Sequence, residues 1–104
     1  MKLEDLQTAV KLKNFKVTLH ALQEKEADDI LLSEIKESFQ NAEVIENYPE
    51  DKPFPSCLVL GFDFKNEPIH SVWAYDEISS MAVLITVYRP DSNKWVEYKK
   101  RKNQ

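Results

Sequence analysis

Glycine is almost absent from this sequence, which has a single one, Gly61, among 104 residues. Loops that bind phosphate need several glycines, because their backbone amides must close on the anion. Gly61 stands instead inside the apolar run "SCLVLGFDF", which is typical of a strand. Nucleotide-binding sites of the Rossmann and P-loop kinds are therefore not expected, and we predict no cofactor.

Cysteine and histidine are also scarce, with one cysteine, Cys57, and two histidines, His20 and His70. A structural zinc site needs four such ligands, and these three are far apart in the chain, so we predict no metal site. A single cysteine cannot form an internal disulfide, which favours a reducing compartment. Its place in a strand favours a core position over a role as nucleophile.

Long apolar runs are missing as well. The run "MAVLI" at 81–85 is far shorter than the roughly 20 residues that a membrane span requires. The chain also starts without the basic and apolar segments that are typical of an export signal. We therefore expect a cytoplasmic protein without a membrane partner, and its length favours one domain over residues 1–104.

Charge is unevenly distributed along the chain. Residues 1–93 contain 9 Lys and Arg against 17 Asp and Glu, a net charge of −8, whereas residues 94–104 contain 5 against 1, a net charge of +4. The acidic part should repel polyanions, and the basic tail "KWVEYKKRKNQ" should attract them. Short basic ends are more often solubilising and mobile, and that is our first interpretation of this one.

Residues 1–42 have the periodicity of helices. The opening "MKLEDLQTAVKLKN" places leucine and valine at helical spacing, with acidic residues early and lysines late, as the helix dipole favours. A second helix is predicted from Thr18, its N-cap, through "LHALQEKEA", and a third in "ILLSEIKESFQN" with Ser33 as N-cap. Because the third helix carries Glu34 and Glu37 on its outer face, specific DNA binding is not expected.

The pattern then changes to that of strands. Four apolar runs, "EVIENY", "SCLVLGFDF", "PIHSVWAY" and "MAVLITVYR", are separated by turn residues and prolines. We predict an α+β fold in which two or three N-terminal helices pack on a four-stranded, mainly antiparallel meander sheet over residues 43–90. Residues 91–104 would follow as a C-terminal extension that ends in the basic tail.

The third apolar run has side chains of mixed character on its two faces. Alternation puts Trp73 and Tyr75 on one face, and His70 and Val72 on the other. Neither face is frankly polar, which predicts either burial of this strand on both faces or a surface used in dimerisation. The aromatic residues are interpreted as core, because no basic residues alternate with them as in sheets that stack RNA bases.

The two histidines are the candidate catalytic groups. Histidine is the side chain best suited to proton transfer near neutral pH, and His20 and His70 can share the roles of general acid and base in a metal-free cleavage of RNA. Arg89 would stabilise the phosphate charge, while Thr86 and Tyr88 would donate hydrogen bonds from one face of the neighbouring strand. The alternative is that both histidines are packing groups, which is the commoner role of a histidine in a strand.

Several short motifs occur together in this chain: His20-Ala21 at a helix start, "SCLVLG" at 56–61, "PIHSVW" at 68–73 and "LITVYRPDSNKW" at 84–95. They resemble the bacterial family known as domain of unknown function 4258. The similarity covers nearly the whole chain, and the last motif is the most specific. The resemblance implies a fold more than an activity, and in outline that fold is similar to the small toxin ribonucleases of the RelE and BrnT kind.

This resemblance implies that His20, His70, Thr86, Tyr88 and Pro90 are family-typical residues. Many relatives follow the helix histidine with arginines, whereas this chain has "HALQEKEADD", which weakens a phosphate-binding role. Two hypotheses follow. The first is a toxin-like, metal-independent ribonuclease of a toxin–antitoxin system, with RNA and an antitoxin protein as partners. The second is a non-catalytic protein-interaction module or homodimer in which both histidines are structural.

Overall fold

Three helices form one layer of the protein, whose computed structural model describes residues 2–103. They are α1 (Leu3–Lys11), α2 (Leu19–Ala27) and α3 (Leu32–Ser38), and a 3-10 turn at Phe39–Asn41 follows α3 directly. The apolar residues of α1 that are buried, Leu6, Ala9 and Val10, recur at helical spacing. This layer contains the helices that the sequence predicts.

The helix starts follow local hydrogen-bond chemistry. Thr18 is the N-cap of α2, as predicted, and its Oγ1 accepts a hydrogen bond from the Ala21 amide at 3.1 Å. The third helix begins one residue before Ser33, so the prediction that Ser33 caps it is wrong. The cap position belongs to Leu31, whose amide donates to the Glu34 carboxylate at 2.8 Å.

A five-stranded mixed sheet forms the second layer. Its strands are β1 (Phe15–Val17), β2 (Glu43–Tyr48), β3 (Ser56–Phe62), β4 (Pro68–Asp76) and β5 (Met81–Tyr88), in the spatial order β1-β5-β4-β3-β2. Strands β2 to β5 pair antiparallel in sequence order, as the predicted meander requires. The fold is therefore α+β, as predicted.

The predicted count of four strands is wrong, because the sheet has a fifth strand outside the meander. Strand β1 lies inside the part predicted as helical and pairs parallel with β5, with Phe15 opposite Ala82 and Val17 opposite Leu84. A strand of three residues between two helices is too short to show alternation, so the sequence pattern carried no sign of it. The sheet is mixed because β1 is parallel to β5, whereas the other neighbouring strands are antiparallel.

The main core lies between the helices and one face of the sheet. Trp73 of β4 is fully buried there and packs edge-on against Phe39 and Phe15, with ring centroids 5.1 and 6.2 Å away. Tyr75 and Ile69 share this face, so the alternation predicted for β4 is confirmed. The burial of these large rings removes apolar area from water and so stabilises the packing of the two layers.

Gly61 marks the closest approach of the two layers. A Cβ atom at this position would lie 2.1 Å from the backbone oxygen of Ser38, at the C-terminal end of α3. Since a backbone oxygen cannot rotate away as a side chain can, only glycine permits this packing. The single glycine of the chain is therefore required at this position of β3 by the packing of α3.

The C-terminal residues form a hairpin that covers the opposite face of the sheet. Strands β6 (Trp95–Val96) and β7 (Lys100–Arg101) pair antiparallel, and we call residues 94–102 the C-terminal hairpin. Three residues lie between the paired Val96 and Lys100, and two of them, Glu97 (52°) and Tyr98 (61°), have positive φ values although neither is glycine. The residues that we interpreted as a mobile tail are thus a folded element.

None of the helices in residues 2–103 has the length and apolar character that crossing a membrane would require.

Candidate functional site

His70 occupies the middle of the sheet beneath the C-terminal hairpin. On β4 it is paired in register with Leu60 of β3 on one side and with Tyr88 of β5 on the other. Its relative exposure is 0%. Strand β4 is buried on both faces at this point, which is one of the two arrangements that the sequence predicts.

Both ring nitrogens of His70 have hydrogen-bond partners. Nε2 lies 2.7 Å from the backbone oxygen of Tyr98, and because a carbonyl only accepts, Nε2 carries the hydrogen. Nδ1 lies 3.1 Å from the Tyr88 hydroxyl, which then donates to it. Burial lowers the pKa of His70, and the Tyr98 carbonyl, which favours the charged form, does not offset this effect. The structure therefore holds a neutral imidazole in one tautomer.

Aromatic rings enclose the same imidazole. Trp95 of the hairpin stands perpendicular to it with centroids 4.5 Å apart, and the Tyr88 ring lies edge-on at 5.3 Å. Trp95 is itself only 5% exposed. Together with the two hydrogen bonds, these contacts make His70 the point at which the C-terminal hairpin is fixed to the sheet.

A salt bridge clamps the outer part of the hairpin. Arg101 donates to both oxygens of Glu46 on β2, at 3.0 and 3.1 Å, and its guanidinium lies 4.7 Å above the Trp95 ring. Tyr48 also donates to Glu46. The hydrogen bond from Arg101 is the main reason that the pKa of Glu46 is lowered. The hairpin is thus joined to β2 by charge and to β4 by His70.

His20 lies in a different environment. Its side chain is 65% exposed on α2, and Nε2 lies 3.1 Å from Oε1 of Glu24, one helical turn later. The same Glu24 oxygen accepts the backbone amide of Val87 at 3.2 Å, and Asp28 accepts that of Arg89 at 2.9 Å. His20 therefore lies beside the contacts that join α2 to the end of β5 near Val87.

Among residues 2–103, the two histidines share no hydrogen-bond, ion-pair or ring-contact partner. His20 contacts Glu24, whereas His70 contacts Tyr88, Tyr98 and Trp95. No open groove brings the two imidazoles together, since His70 has no exposed surface. A shared acid and base role would require the C-terminal hairpin to leave the sheet.

Arg89 is held by two carboxylates. Its Nη1 lies 2.9 Å from Asp63 Oδ2, and its Nη2 lies 3.3 Å from Glu34 Oε2 of α3. Asp63 is nearly inaccessible and also accepts the amides of Lys65 and Glu67 at 2.8 and 2.9 Å. Burial alone would raise the pKa of Asp63, but these amides and Arg89 outweigh it and lower the pKa.

Thr86 and Tyr88 lie on the same sheet face as His70. Thr86 is opposite Val72 in register and is half-buried, whereas the hydroxyl of Tyr88 is committed to His70. Burial is also the main reason that the pKa of Tyr88 is raised. Of the five predicted site residues, the structure brings His70, Tyr88 and Thr86 together and leaves His20 and Arg89 in separate networks.

Within residues 2–103, the predicted site residues adjoin neither a metal-binding cluster nor the groove of the helical layer. Residues 2–103 contain no group of three or more His, Cys, Asp or Glu side chains that could hold a metal ion. A groove of about 450 Å³ opens on the helical layer, and it is lined by Gln7, Val10, Lys11, Lys36, Phe39 and Gln40. None of the five predicted site residues lines this groove.

Sequence reasoning missed the residues that complete the environment of His70. They are Trp95, Tyr98 and Arg101 of the hairpin, together with Glu46 of β2. Trp95 offered one signal, because it is an aromatic residue inside a basic segment and ends the motif "LITVYRPDSNKW". Tyr98 offered none, because it acts through its backbone oxygen.

Comparison with known proteins gives a family and no closer relative. Neither the curated proteins nor the solved structures include a match to the chain. The family described as "Domain of unknown function (DUF4258)" matches residues 17–89, which is more than half of the chain. The matched residues run from the end of β1 to just beyond β5, so α1 and the C-terminal hairpin lie outside them. With that extent of agreement, and with the predicted motif strands forming the centre of the sheet, the chain belongs to the DUF4258 family.

Proposed function

We propose that this protein is a non-catalytic protein-interaction module whose histidines are structural. One observation carries the proposal: His70 has 0% exposure, and both of its ring nitrogens are already hydrogen-bonded to protein groups. A general acid or base must reach the proton that it transfers, within about 3 Å or through one water. In this arrangement no substrate atom can approach His70.

The surroundings of Arg89 support the same conclusion. A phosphate-binding arginine needs unpaired donors that face the substrate. The guanidinium of Arg89 instead meets Asp63, Glu34 and the Pro68 carbonyl. An incoming phosphate would have to displace two carboxylates and would leave the buried Asp63 without its partner, which carries a large free-energy penalty.

The binding surface of the module is proposed to lie on α2. Leu19 and Leu22 are 69% and 42% exposed, and their spacing places them on neighbouring turns of one helix. The segment 19–38 carries six acidic and two basic residues. An apolar pair with acidic surroundings is complementary to a helix with leucines and lysines, and a second copy of the same acidic helix would repel it.

A peptide titration tests this proposal. The probe is a 20-residue amphipathic helix of leucine and lysine, labelled with a fluorophore, and binding is measured by anisotropy. We expect saturable binding that Leu19→Asn together with Leu22→Asn weakens at least tenfold, whereas Leu12→Asn, at an equally exposed leucine outside α2, leaves it unchanged. An equal loss in both variants would reject α2 as the binding surface.

Ribonuclease activity is a second candidate, and the pairing of His20 with Glu24 favours it. A carboxylate 3.1 Å from an exposed imidazole is an arrangement used to orient a general base. The assay incubates the purified full chain with a labelled RNA of about 30 nucleotides in the presence of a chelator. Cleavage that His20→Ala abolishes would establish the ribonuclease and would overturn the non-catalytic module, whereas intact RNA would leave the module as the proposal.

A further inference from the structure

We propose that the outer face of the C-terminal hairpin binds the phosphate backbone of nucleic acids without sequence preference. The observation is the register of β6 and β7, which pairs Trp95 with Arg101 and Val96 with Lys100. Because residues opposite each other share a face and successive residues alternate, the two pairs face opposite ways. Trp95 and Arg101 face the sheet, so Val96 and Lys100 face outward.

Two further lysines join this outer face. The Lys102 amide donates to the Lys94 oxygen at 3.0 Å, so these two residues are also opposite each other. They alternate with Trp95 and Arg101 and therefore point outward with Lys100. Residues two apart on a strand are separated by roughly 7 Å, and residues opposite each other on paired strands by roughly 5 Å, so the three lysines form one compact cluster of positive charge.

These three lysines have no carboxylate within ion-pair distance in residues 2–103, unlike the other two cations of the hairpin. Lys99 pairs with Glu43 at 3.0 Å, and Arg101 pairs with Glu46. The acidic residue within the hairpin, Glu97, lies in its turn. The unpaired lysines are therefore available to an external anion.

The hairpin holds these lysines on a rigid support. Trp95 is buried against His70, and Arg101 is bound to Glu46, so the backbone that carries the lysine cluster does not need to be ordered when a ligand binds. Lysines on a folded hairpin lose less conformational entropy on binding than lysines on a flexible tail with the same charges. The hairpin has a net charge of +4 on a chain whose net charge is −4, so the attraction is local.

The chemistry of this face favours nucleic acid over an anionic membrane. Val96, 48% exposed, is its one apolar side chain, whereas a surface-bound membrane element needs a broad apolar face. Its tryptophan is turned inward, so bases cannot stack on it. Backbone contacts alone give binding in the range of about 10⁻⁴ to 10⁻⁶ M that falls steeply with salt.

Fluorescence anisotropy of the full chain with a labelled 20-nucleotide RNA, and with DNA of the same length, tests the proposal over about 50 to 200 mM salt. The test variant carries Lys94→Gln, Lys100→Gln and Lys102→Gln. The control carries Lys11→Gln, Lys13→Gln and Lys65→Gln, which removes the same charge from exposed lysines elsewhere. Acrylamide quenching of tryptophan fluorescence verifies that the hairpin of each variant remains packed, because Trp73, the other tryptophan, is fully buried.

We expect the test variant to bind at least tenfold more weakly than the wild type. The negative slope of log K against log salt should also become shallower by about 2, which corresponds to the loss of three contacts at about 0.7 each for a single strand. The control should bind as the wild type does. If the triple variant does not keep its hairpin packed, the single substitution Lys100→Glu is measured in its place.

Three results would overturn the proposal. They are no binding at 50 mM salt, an equal loss in the control, or binding to vesicles of phosphatidylserine and phosphatidylcholine without binding to nucleic acid. Because Leu19 and Leu22 are unchanged in these variants, the result is independent of the proposed protein-interaction surface. Both surfaces can therefore be accepted or rejected separately.

Discussion

His70 donates its Nε2 hydrogen to the backbone oxygen of Tyr98 over 2.7 Å, and this bond joins the centre of the sheet to the turn of the C-terminal hairpin. The turn holds Glu97 and Tyr98 at positive φ without glycine, a conformation that costs on the order of 1 kcal/mol for each such residue. The bond from His70 offsets part of that cost. It also gives His70 a role that needs no substrate.

The stability of the protein should depend on the protonation of His70. Because burial lowers its pKa below the ordinary 6.5, the unfolded state takes up a proton first as the pH falls below that value. The contribution of His70 to the free energy of unfolding is fully present above pH 6.5 and is lost progressively below it. The free energy of unfolding then changes by at most about 1.4 kcal/mol per pH unit for one proton. Urea unfolding at several pH values measures this slope.

The substitution His70→Gln provides the control for that measurement. Glutamine keeps an amide donor at the distance of Nε2 but does not titrate, so the slope between pH 4.5 and 6.5 should flatten. The lower limit of this pH range is set by Glu46. Its pKa is lowered in the folded state from the ordinary 4.5, so its own titration contributes to the slope below that pH. An unchanged slope in the variant would show that another group is responsible.

Arg101→Ala should loosen the hairpin without unfolding the domain. The pair with Glu46 is partly exposed, so its contribution is about 0.5 to 1 kcal/mol. Acrylamide quenching of Trp95 should increase, because the guanidinium no longer covers its ring. Lys99→Ala breaks the more exposed pair with Glu43, and it should change neither the quenching nor the stability measurably.

Gly61→Ala should be among the most destabilising substitutions in this chain. The added Cβ would fall 2.1 Å from the Ser38 oxygen, so α3 must move away from the sheet. Overpacking of this kind costs about 1 to 3 kcal/mol, and a backbone obstacle favours the upper end. Thermal unfolding measures the loss, with Lys65→Ala in the following exposed turn as a neutral control. A shift in melting temperature no larger than that of the control would contradict the close packing.

Asp63→Ala should destabilise the fold by about 2 to 4 kcal/mol, because it removes a buried acceptor and leaves Arg89 with a missing partner. Asp76→Ala is the matched comparison, since Asp76 also accepts the hydrogen bonds of a turn, from Ile78 and Ser79, but at an exposed position. Its substitution should destabilise the fold clearly less, because water can replace the lost acceptor at an exposed turn. Equal effects in chemical denaturation would mean that burial at Asp63 is not the deciding factor.

The central strands were predictable because each is an apolar run between turn residues. Their meander order followed from short connections, and the faces of β4 followed from alternation. Strand β1 was not predictable, since three residues cannot display a period. The parallel pairing of β1 with β5 depends on tertiary contacts that no local pattern encodes.

The environment of His70 was less predictable than the strand that carries it. Its position on the face with Val72 followed from alternation, whereas its pairing with Tyr88 is known only from the structure. Its closest partner is a backbone oxygen, and every residue type has one, so the identity of Tyr98 carries no information about that bond. The hairpin itself is rich in lysine and lacks glycine at its turn, which are features of a polar end rather than of a packed strand pair.

The carboxylates of α2 have a consequence for self-association. A sheet edge with unpaired amides is a template on which another chain can add a strand, and such growth leads to aggregates. Strand β1 covers β5 only at residues 82–84, and beyond it the amides of Val87 and Arg89 are already occupied by Glu24 and Asp28. At the opposite edge, β2 is interrupted by a bulge at Ile45 and carries acidic side chains. Intermolecular growth of the sheet is therefore blocked along this part of β5 by helix carboxylates and discouraged at β2 by a bent, charged strand.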